Sequence, residues 1–201
     1  MKMAKQSSAD ALYLRPVMKA IFTNPGIRFI VVFLSLFFIF NYGTQFWEGV
    51  CAPGGAIYSP FFEKYANYIG WLRSLILWGS HFVASAMGMD TIVIEPYFLR
   101  IVNGSGVQMV YSCIGIGVMS FWAAFIIANN GKLLNKLVWA FGGLFAIYLI
   151  NCFRVAILLK IAAQKGNINS FGEHHTVFNI VAYGLVFGLM YWYGRKKKDD
   201  R

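Results

Sequence analysis

Four apolar runs along the chain are long enough to cross a lipid bilayer as helices. They lie at about Phe29–Trp47, Ile114–Ala128, Leu137–Ala156 and Val177–Tyr193, and a membrane-spanning helix needs about 20 residues. Aromatic residues mark their ends, as is typical of membrane interfaces: Trp47, Trp139, Tyr191, Trp192 and Tyr193. The pattern predicts an all-α integral membrane protein with about four transmembrane helices.

A fifth apolar run, Ile69–Met87, contains Arg73 and His81. If this run crossed the bilayer in contact with lipid, burying its charge would cost about 2.5–3.5 kcal/mol. An interfacial helix buries only one face and avoids that cost. We therefore expect an amphipathic or re-entrant helix on the outer face of the membrane, which does not cross it.

The segment after this run has the pattern of short strands. Thr91–Glu95 and Leu99–Val102 are rich in β-branched residues, Asn103-Gly104 is a strong turn dipeptide, and Val107–Tyr111 alternates with a period of two. These features predict a small β-hairpin over the outer membrane surface that leads directly into Cys113.

The basic residues lie mostly near the two ends of the chain, in a sequence that is 58% hydrophobic, 18% aromatic and has a net charge of +10. Clusters next to membrane spans indicate cytoplasmic anchors, so both termini are expected in the cytoplasm and the number of spans is even. The loop with Lys132 and Lys136 then also falls inside. No stripe of base-stacking aromatics lies among the lysines, so we expect no nucleic-acid partner.

These patterns predict one membrane domain over residues 1–201. It comprises a cytoplasmic N-terminal segment 1–28, a membrane core 29–193 with an outer-face insert 48–112, and a basic cytoplasmic tail 194–201. The first apolar run is too long for a typical signal-peptide core, and we interpret it as a permanent anchor. Three cysteines, an odd number, exclude complete pairing within one chain.

Cys113, Arg154 and His175 each lie where an apolar run meets a polar stretch, and the four-span topology puts all three on the outer face. A thiol at the start of a helix lies at the positive end of the helix dipole, which favours the nucleophilic thiolate. The free N–H groups there can also bind an oxyanion. Gly115 and Gly117 allow close backbone approach. The alternative for Cys113 is a small buried hydrophobic residue.

Arg154 lies near the outer end of the third run and offers a planar set of donors for a carboxylate or an oxyanion. Its alternative role is a snorkelling anchor among lipid headgroups. Asn151 precedes it by one helical turn on the same face and can orient the substrate or Arg154.

His174 and His175 stand at the start of the fourth run. A neutral imidazole can accept the thiol proton and return it to a leaving amine. The alternative is an interfacial or capping histidine. Adjacent histidines point to different faces of a helix, and the chain contains no His-Glu-x-x-His or Cys-x-x-Cys pattern. We therefore expect no metal and no cofactor.

Three short patterns in this order, Ser112-Cys113-Ile114-Gly115, Asn151-x-x-Arg154 and His175, resemble the exosortase/archaeosortase family. Its members are multi-spanning membrane cysteine transpeptidases, thought to recognise a C-terminal sorting tail (a short motif, an apolar helix and a basic cluster) on exported proteins. The resemblance covers about Thr91–Gly188. Where the family often shows Cys-Ser-Gly, this chain has Cys113-Ile114-Gly115, and where a Gly commonly follows the His by four positions, Asn179 stands here.

The resemblance implies Cys113 as nucleophile, Arg154 as the paired arginine and His175 as the third member, with His174, Asn151 and Ser112 as alternative or supporting residues. It implies a location in the bacterial cytoplasmic (inner) membrane, with the active site on the outer face. The partners would be the lipid bilayer and a membrane-anchored protein substrate with a C-terminal sorting tail.

The predicted function is cleavage and transfer at a peptide bond through a thioacyl intermediate on Cys113. Two alternatives stay open. In the first, the chain would be a non-catalytic membrane subunit of a polysaccharide- or protein-export system. In the second, it would be a membrane thiol redox protein that uses Cys51 and Cys152.

Overall fold

The computed structural model describes residues 24–55, 57–165 and 171–199, and of 165, 171–179, 182 and 197–199 the backbone alone. These residues form six α-helices, one 3-10 helix and a small sheet. The α-helices are α1 (Pro25–Cys51), α2 (Pro60–Ala66), α3 (Tyr68–Ala86), α4 (Ile116–Ala128), α5 (Leu133–Lys165) and α6 (Phe171–Asp199). The strands are β1 (Thr91–Ile94), β2 (Phe98–Ile101) and β3 (Gly106–Gln108), and the 3-10 helix covers Tyr111–Cys113.

Each of the four predicted apolar runs coincides with a helix, so the helical class is confirmed. Within the described residues, α1 and α5 are the two helices that are both long and apolar enough to cross a membrane. Helix α4 is apolar but has only 13 residues, fewer than the roughly 20 that a straight span requires. A total of four spans stays a prediction.

Aromatic contacts fix the directions of the helices. The rings of Phe29 and Phe125 lie 6.0 Å apart and those of Phe37 and Phe121 5.9 Å apart, so α1 and α4 are antiparallel. Near the end of α6, Tyr193 contacts Phe125 at 5.8 Å. The beginning of α1, the end of α4 and the end of α6 therefore share one end of the bundle, which we call the Tyr193 end. The opposite end, where α4 begins, is the Cys113 end.

Helix α3 corresponds to the fifth run and packs on α5 near the Cys113 end. The carbonyl of Ile76 accepts a weak hydrogen bond from Sγ of Cys152 at 3.8 Å, and that of Leu75 accepts one from the Tyr148 hydroxyl at 3.3 Å. The exposed side of α3 is apolar at helical spacing: Trp71, Leu75, Trp78 and Phe82. Since polar residues lie on its buried side, the helix resembles one in contact with lipid.

The environment of Arg73 differs from the lipid-exposed position considered for the fifth apolar run. Its side chain is buried and forms a 2.6 Å salt bridge with Glu48 on α1. The insertion cost expected for a lipid-exposed charge therefore does not apply, because the guanidinium faces protein. The expectation that α3 does not cross the membrane now depends on the even number of spans alone.

The segment between α3 and the 3-10 helix contains a three-stranded antiparallel sheet in the order β1-β2-β3. The predicted hairpin at Asn103-Gly104 joins β2 to β3, and Asn103 has the left-handed backbone expected at such a turn (φ 57°). A second hairpin, which the sequence argument did not separate, joins β1 to β2. The Ser105 hydroxyl donates to the carbonyl of Ala162 at 3.3 Å and so attaches the sheet to α5.

The described core has two parts. One cluster, at the Cys113 end, joins α3, the sheet, the start of α4 and the C-terminal half of α5. The other, toward the Tyr193 end, is built around the fully buried Trp122 and includes Ile147, Val186 and Tyr193. Because α4 and α5 contribute to both clusters, their packing sets the relative position of the residues that they carry at the Cys113 end.

Candidate functional site

Cys113 lies in a compact turn between the sheet and α4. It is the last residue of the 3-10 helix, and its N–H donates to the carbonyl of Val110 at 2.9 Å. Gly115 follows with a left-handed backbone (φ 81°, ψ 21°), and α4 begins at Ile116. The prediction that Cys113 opens the helix is therefore wrong by a few residues, because the left-handed glycine separates the two helical segments.

The Cys113 side chain is half-buried and packs against the core cluster that includes Cys152, Val155 and Ala156 of α5. Its thiol thus keeps partial access while one side of it contacts protein. Ser112, beside it, is exposed.

The beginning of α4 lacks a side-chain cap, because its N-cap residue is Gly115. The first N–H groups of an α-helix have no carbonyl partner within the helix, and they carry the positive end of its dipole. These groups point back toward the turn that bears Cys113. They are suitable donors for an oxyanion formed beside that turn.

Asn151 connects this turn to α5. Its side chain is buried, and Nδ2 donates a 2.9 Å hydrogen bond to the carbonyl oxygen of Ile114, the residue after Cys113. A side chain at Gly115 would overlap the Asn151 amide, with a Cβ only 3.3 Å from Cγ and closer still to Nδ2. The turn and α5 are therefore in direct contact at this point.

Arg154 follows Asn151 by one turn of α5, about 4.5 Å along the helix axis. Its side chain is only 5% exposed, so it does not extend along the surface to lipid headgroups. Within the part of the chain that the structure describes, its Nη2 atom is buried without a hydrogen-bond partner. An unpaired buried guanidinium nitrogen is costly, and an anionic group at this place would remove that cost.

The backbones of His174 and His175 lie near the start of α6, which begins at Phe171. Their side chains lie outside the described residues, so the predicted meeting of an imidazole with Cys113 stays a prediction. On α5, by contrast, the side chains of the predicted site residues Asn151 and Arg154 are both described.

The other two cysteines are buried and are not joined in a disulfide. Cys152 lies in the α3–α5 contact, and Cys51 ends α1.

No group of three or more His, Cys, Asp or Glu side chains that could hold a metal ion occurs among the described residues. His81 is paired instead with the Thr91 hydroxyl, at 2.7 Å from Nδ1.

The partner of Arg73 was not predicted from the sequence. Glu48 binds its guanidinium, which also lies over the Tyr97 ring at 4.6 Å. The available signal was a pair of opposite charges, Glu48 directly after the first apolar run and Arg73 within the fifth. A second link, from the Tyr111 hydroxyl to Thr44 Oγ1 at 3.2 Å, joins the Cys113 turn to α1.

Comparison with known protein families gives a match over most of the chain. The family model of the transmembrane exosortases matches residues 16–192, a range that contains the Cys113 turn, the Asn151–Arg154 segment and both histidines. No curated protein and no solved structure matches the chain. Because the match covers most of the chain, and because apolar helices long enough to span a bilayer agree with it, this membrane protein belongs to the transmembrane exosortase family.

Proposed function

We propose that this protein is a sorting cysteine transpeptidase that cleaves exported proteins near a C-terminal apolar anchor. The Cys113 thiolate attacks the scissile carbonyl, and the tetrahedral oxyanion collapses as the C–N bond breaks. The leaving amine takes a proton from the imidazolium that had received the thiol proton. An incoming amine or water then loses a proton to the neutral imidazole and attacks the thioacyl carbon, and the C–S bond breaks to release the Cys113 thiolate.

The observation that carries this proposal is the Nη2 atom of Arg154, which is buried and has no hydrogen-bond partner among the described residues. It lies one helical turn from the Asn151–Ile114 hydrogen bond that holds the Cys113 turn. In this proposal the guanidinium and the uncapped N–H groups of α4 stabilise the oxyanion. These donors would be most effective in the transition state, because the negative charge on the carbonyl oxygen develops only there.

Helical rise supports His175 as the proposed base. Trp139 of α5 and Tyr193 of α6 are in contact, with ring centroids 5.4 Å apart. From that level, Arg154 is about 22 Å along α5 and His175 about 27 Å along α6, at about 1.5 Å per residue. The two backbones thus come to similar levels at the Cys113 end. His174 is the alternative base in the same turn.

The proposed topology has four spans, α1, α4, α5 and α6, with both termini in the cytoplasm and the site on the outer face of the bacterial inner membrane. The common location of the beginning of α1 and the end of α6 at the Tyr193 end supports it. The basic tail beyond Tyr193 would then lie inside, as the positive-inside rule requires.

The test is processing of a co-expressed exported protein that ends in an apolar helix and a basic cluster. Cys113→Ala should abolish processing, and Cys113→Ser should nearly do so, because a serine hydroxyl is far less ionised than a thiol. Cys51→Ala and Cys152→Ala are the controls, and each should retain much of the activity. The readout is unprocessed substrate in the membrane fraction. Normal processing by Cys113→Ala, with expression confirmed, would refute the proposal and favour the export-subunit alternative.

A further inference from the structure

The contact between Asn151 and the Cys113 turn has a specific geometry. The amide nitrogen of Asn151 donates to the carbonyl of Ile114 at 2.9 Å, and both residues are buried. A buried hydrogen bond of this kind is costly to break, because the remaining carbonyl loses its partner without gaining water. The bond therefore holds the backbone directly after Cys113 at one place on α5.

Gly115 completes this contact. Its left-handed backbone (φ 81°) turns the chain toward α4, and the absence of a side chain lets the Asn151 amide approach. Any Cβ at this position would overlap Nδ2 and stand 3.3 Å from Cγ and Oδ1. A longer residue at 115 and the Asn151 amide cannot both occupy the space, so the two residues fit as a pair.

The same helix carries Arg154 one turn further on. Since Asn151 binds the Cys113 turn and Arg154 shares its helix, the hydrogen bond fixes the height of the turn relative to the guanidinium. One of the two N–H groups of the Asn151 amide is bound to backbone, so this N–H holds the turn and is not available to a substrate.

We infer that Asn151 is a positioning residue for the proposed reaction: it holds the Cys113 turn, through Ile114, at the level of Arg154. The inference rests on the proposed function for its effect on catalysis, but the hold on the turn can be measured without any substrate. Without this bond, the 3-10 turn keeps its local hydrogen bonds but loses its fixed place on α5.

The experiment uses the full-length protein in detergent with Asn151→Leu, which keeps the number and branching of the side-chain heavy atoms and removes the donor without adding charge. The first readout is the rate at which N-ethylmaleimide labels Cys113, with the site identified by peptide mass mapping. Cys113 is half-buried in the intact turn, so release of the turn should raise the labelling rate several-fold. An unchanged rate overturns the inference.

The second readout is processing per folded molecule. Asn151→Leu should lower kcat by about tenfold to hundredfold, the loss expected when reacting groups are misplaced by about 1 Å, and leave KM nearly unchanged. The matched control is Ile147→Ala, a buried position of α5 in the other core cluster. It should lower Tm and yet keep both the labelling rate and kcat of the folded protein, which separates positioning from stability.

The two proposals fail in different ways. If Cys113→Ala is inactive while Asn151→Leu labels and processes like the unmodified protein, the positioning role is wrong and the proposed function stands. If Cys113→Ala processes normally, the proposed function is wrong, and a faster labelling rate in Asn151→Leu still supports the hold on the turn. Should Asn151→Leu not accumulate, Asn151→Ala removes the same donor without adding bulk, and the same readouts and outcomes apply.

Discussion

The contact between Gly143 of α5 and Trp122 of α4 predicts that alanine at Gly143 and alanine at the neighbouring Gly142 differ in their effect on stability. A Cβ at Gly143 would stand 2.6 Å from Cζ2 of Trp122 and closer to two other atoms of its ring, whereas a Cβ at Gly142 would meet no described atom from outside its own helix within 4 Å. Trp122 is fully buried, and its Nε1 donates to the carbonyl of Trp139 at 3.2 Å. The ring therefore has little room to withdraw.

The magnitude follows from comparing Gly143→Ala with Gly142→Ala. Replacing glycine by alanine inside a helix stabilises by about 0.5–1 kcal/mol through backbone entropy, at either position. Overpacking of a dense core costs about 1–3 kcal/mol, at Gly143 only. The gain in backbone entropy is the same for both variants and cancels in the comparison. We therefore expect Gly143→Ala to be less stable than Gly142→Ala by about 1–3 kcal/mol.

The assay is reversible unfolding of the purified protein in mixed micelles as the SDS fraction rises, followed by tryptophan fluorescence or circular dichroism. Processing activity should fall with Gly143→Ala as well, because α4 leads from the Cys113 turn and α5 bears Arg154. Equal stability of the two variants would show that α4 and α5 do not pack as closely as described, and the reasoning about their spacing would fail.

Three further predictions follow from single features. Reporter fusions at Gly88 and at Arg201 should report opposite sides of the membrane if α3 does not cross it, and the same side would contradict the four-span topology. Arg154→Lys should lose processing although it keeps the charge, because an ammonium cannot reproduce the planar donor set; activity close to that of the unmodified protein would count against the oxyanion role. Glu48→Gln should destabilise the protein by about 1–3 kcal/mol in the SDS assay, because the buried guanidinium of Arg73 loses its charged partner, and no change would make that salt bridge dispensable.

The helices could be predicted from sequence because lipid imposes a simple rule. A run such as Phe29–Trp47 has to satisfy its backbone hydrogen bonds internally, so long apolar stretches are helices. The turn at Asn103 was predictable for a comparable local reason, since its side chain tolerates a positive φ. In each case a few neighbouring residues determine the structure.

The parts that depend on partners far along the chain were not predictable in the same way. The pairing of Glu48 with Arg73 joins residues on two helices, and no local pattern specifies it. The hydrogen bond from Asn151 to Ile114 likewise depends on how α4 packs on α5. The sequence identified Asn151 as a neighbour of Arg154 by helical spacing, but the packing shows what its amide contacts.

The attachment of Ser105 to Ala162 has a consequence for the length of the chain between the sheet and the Cys113 turn. This segment is held at two places on the same helix, at Ala162 through Ser105 and at Asn151 through Ile114. Between them the chain includes β3, in which a shift of one residue would exchange its two faces. Insertions and deletions between Ser105 and Ile114 should therefore be tolerated poorly. The number of residues in this segment is thus as much a part of the site as their identity.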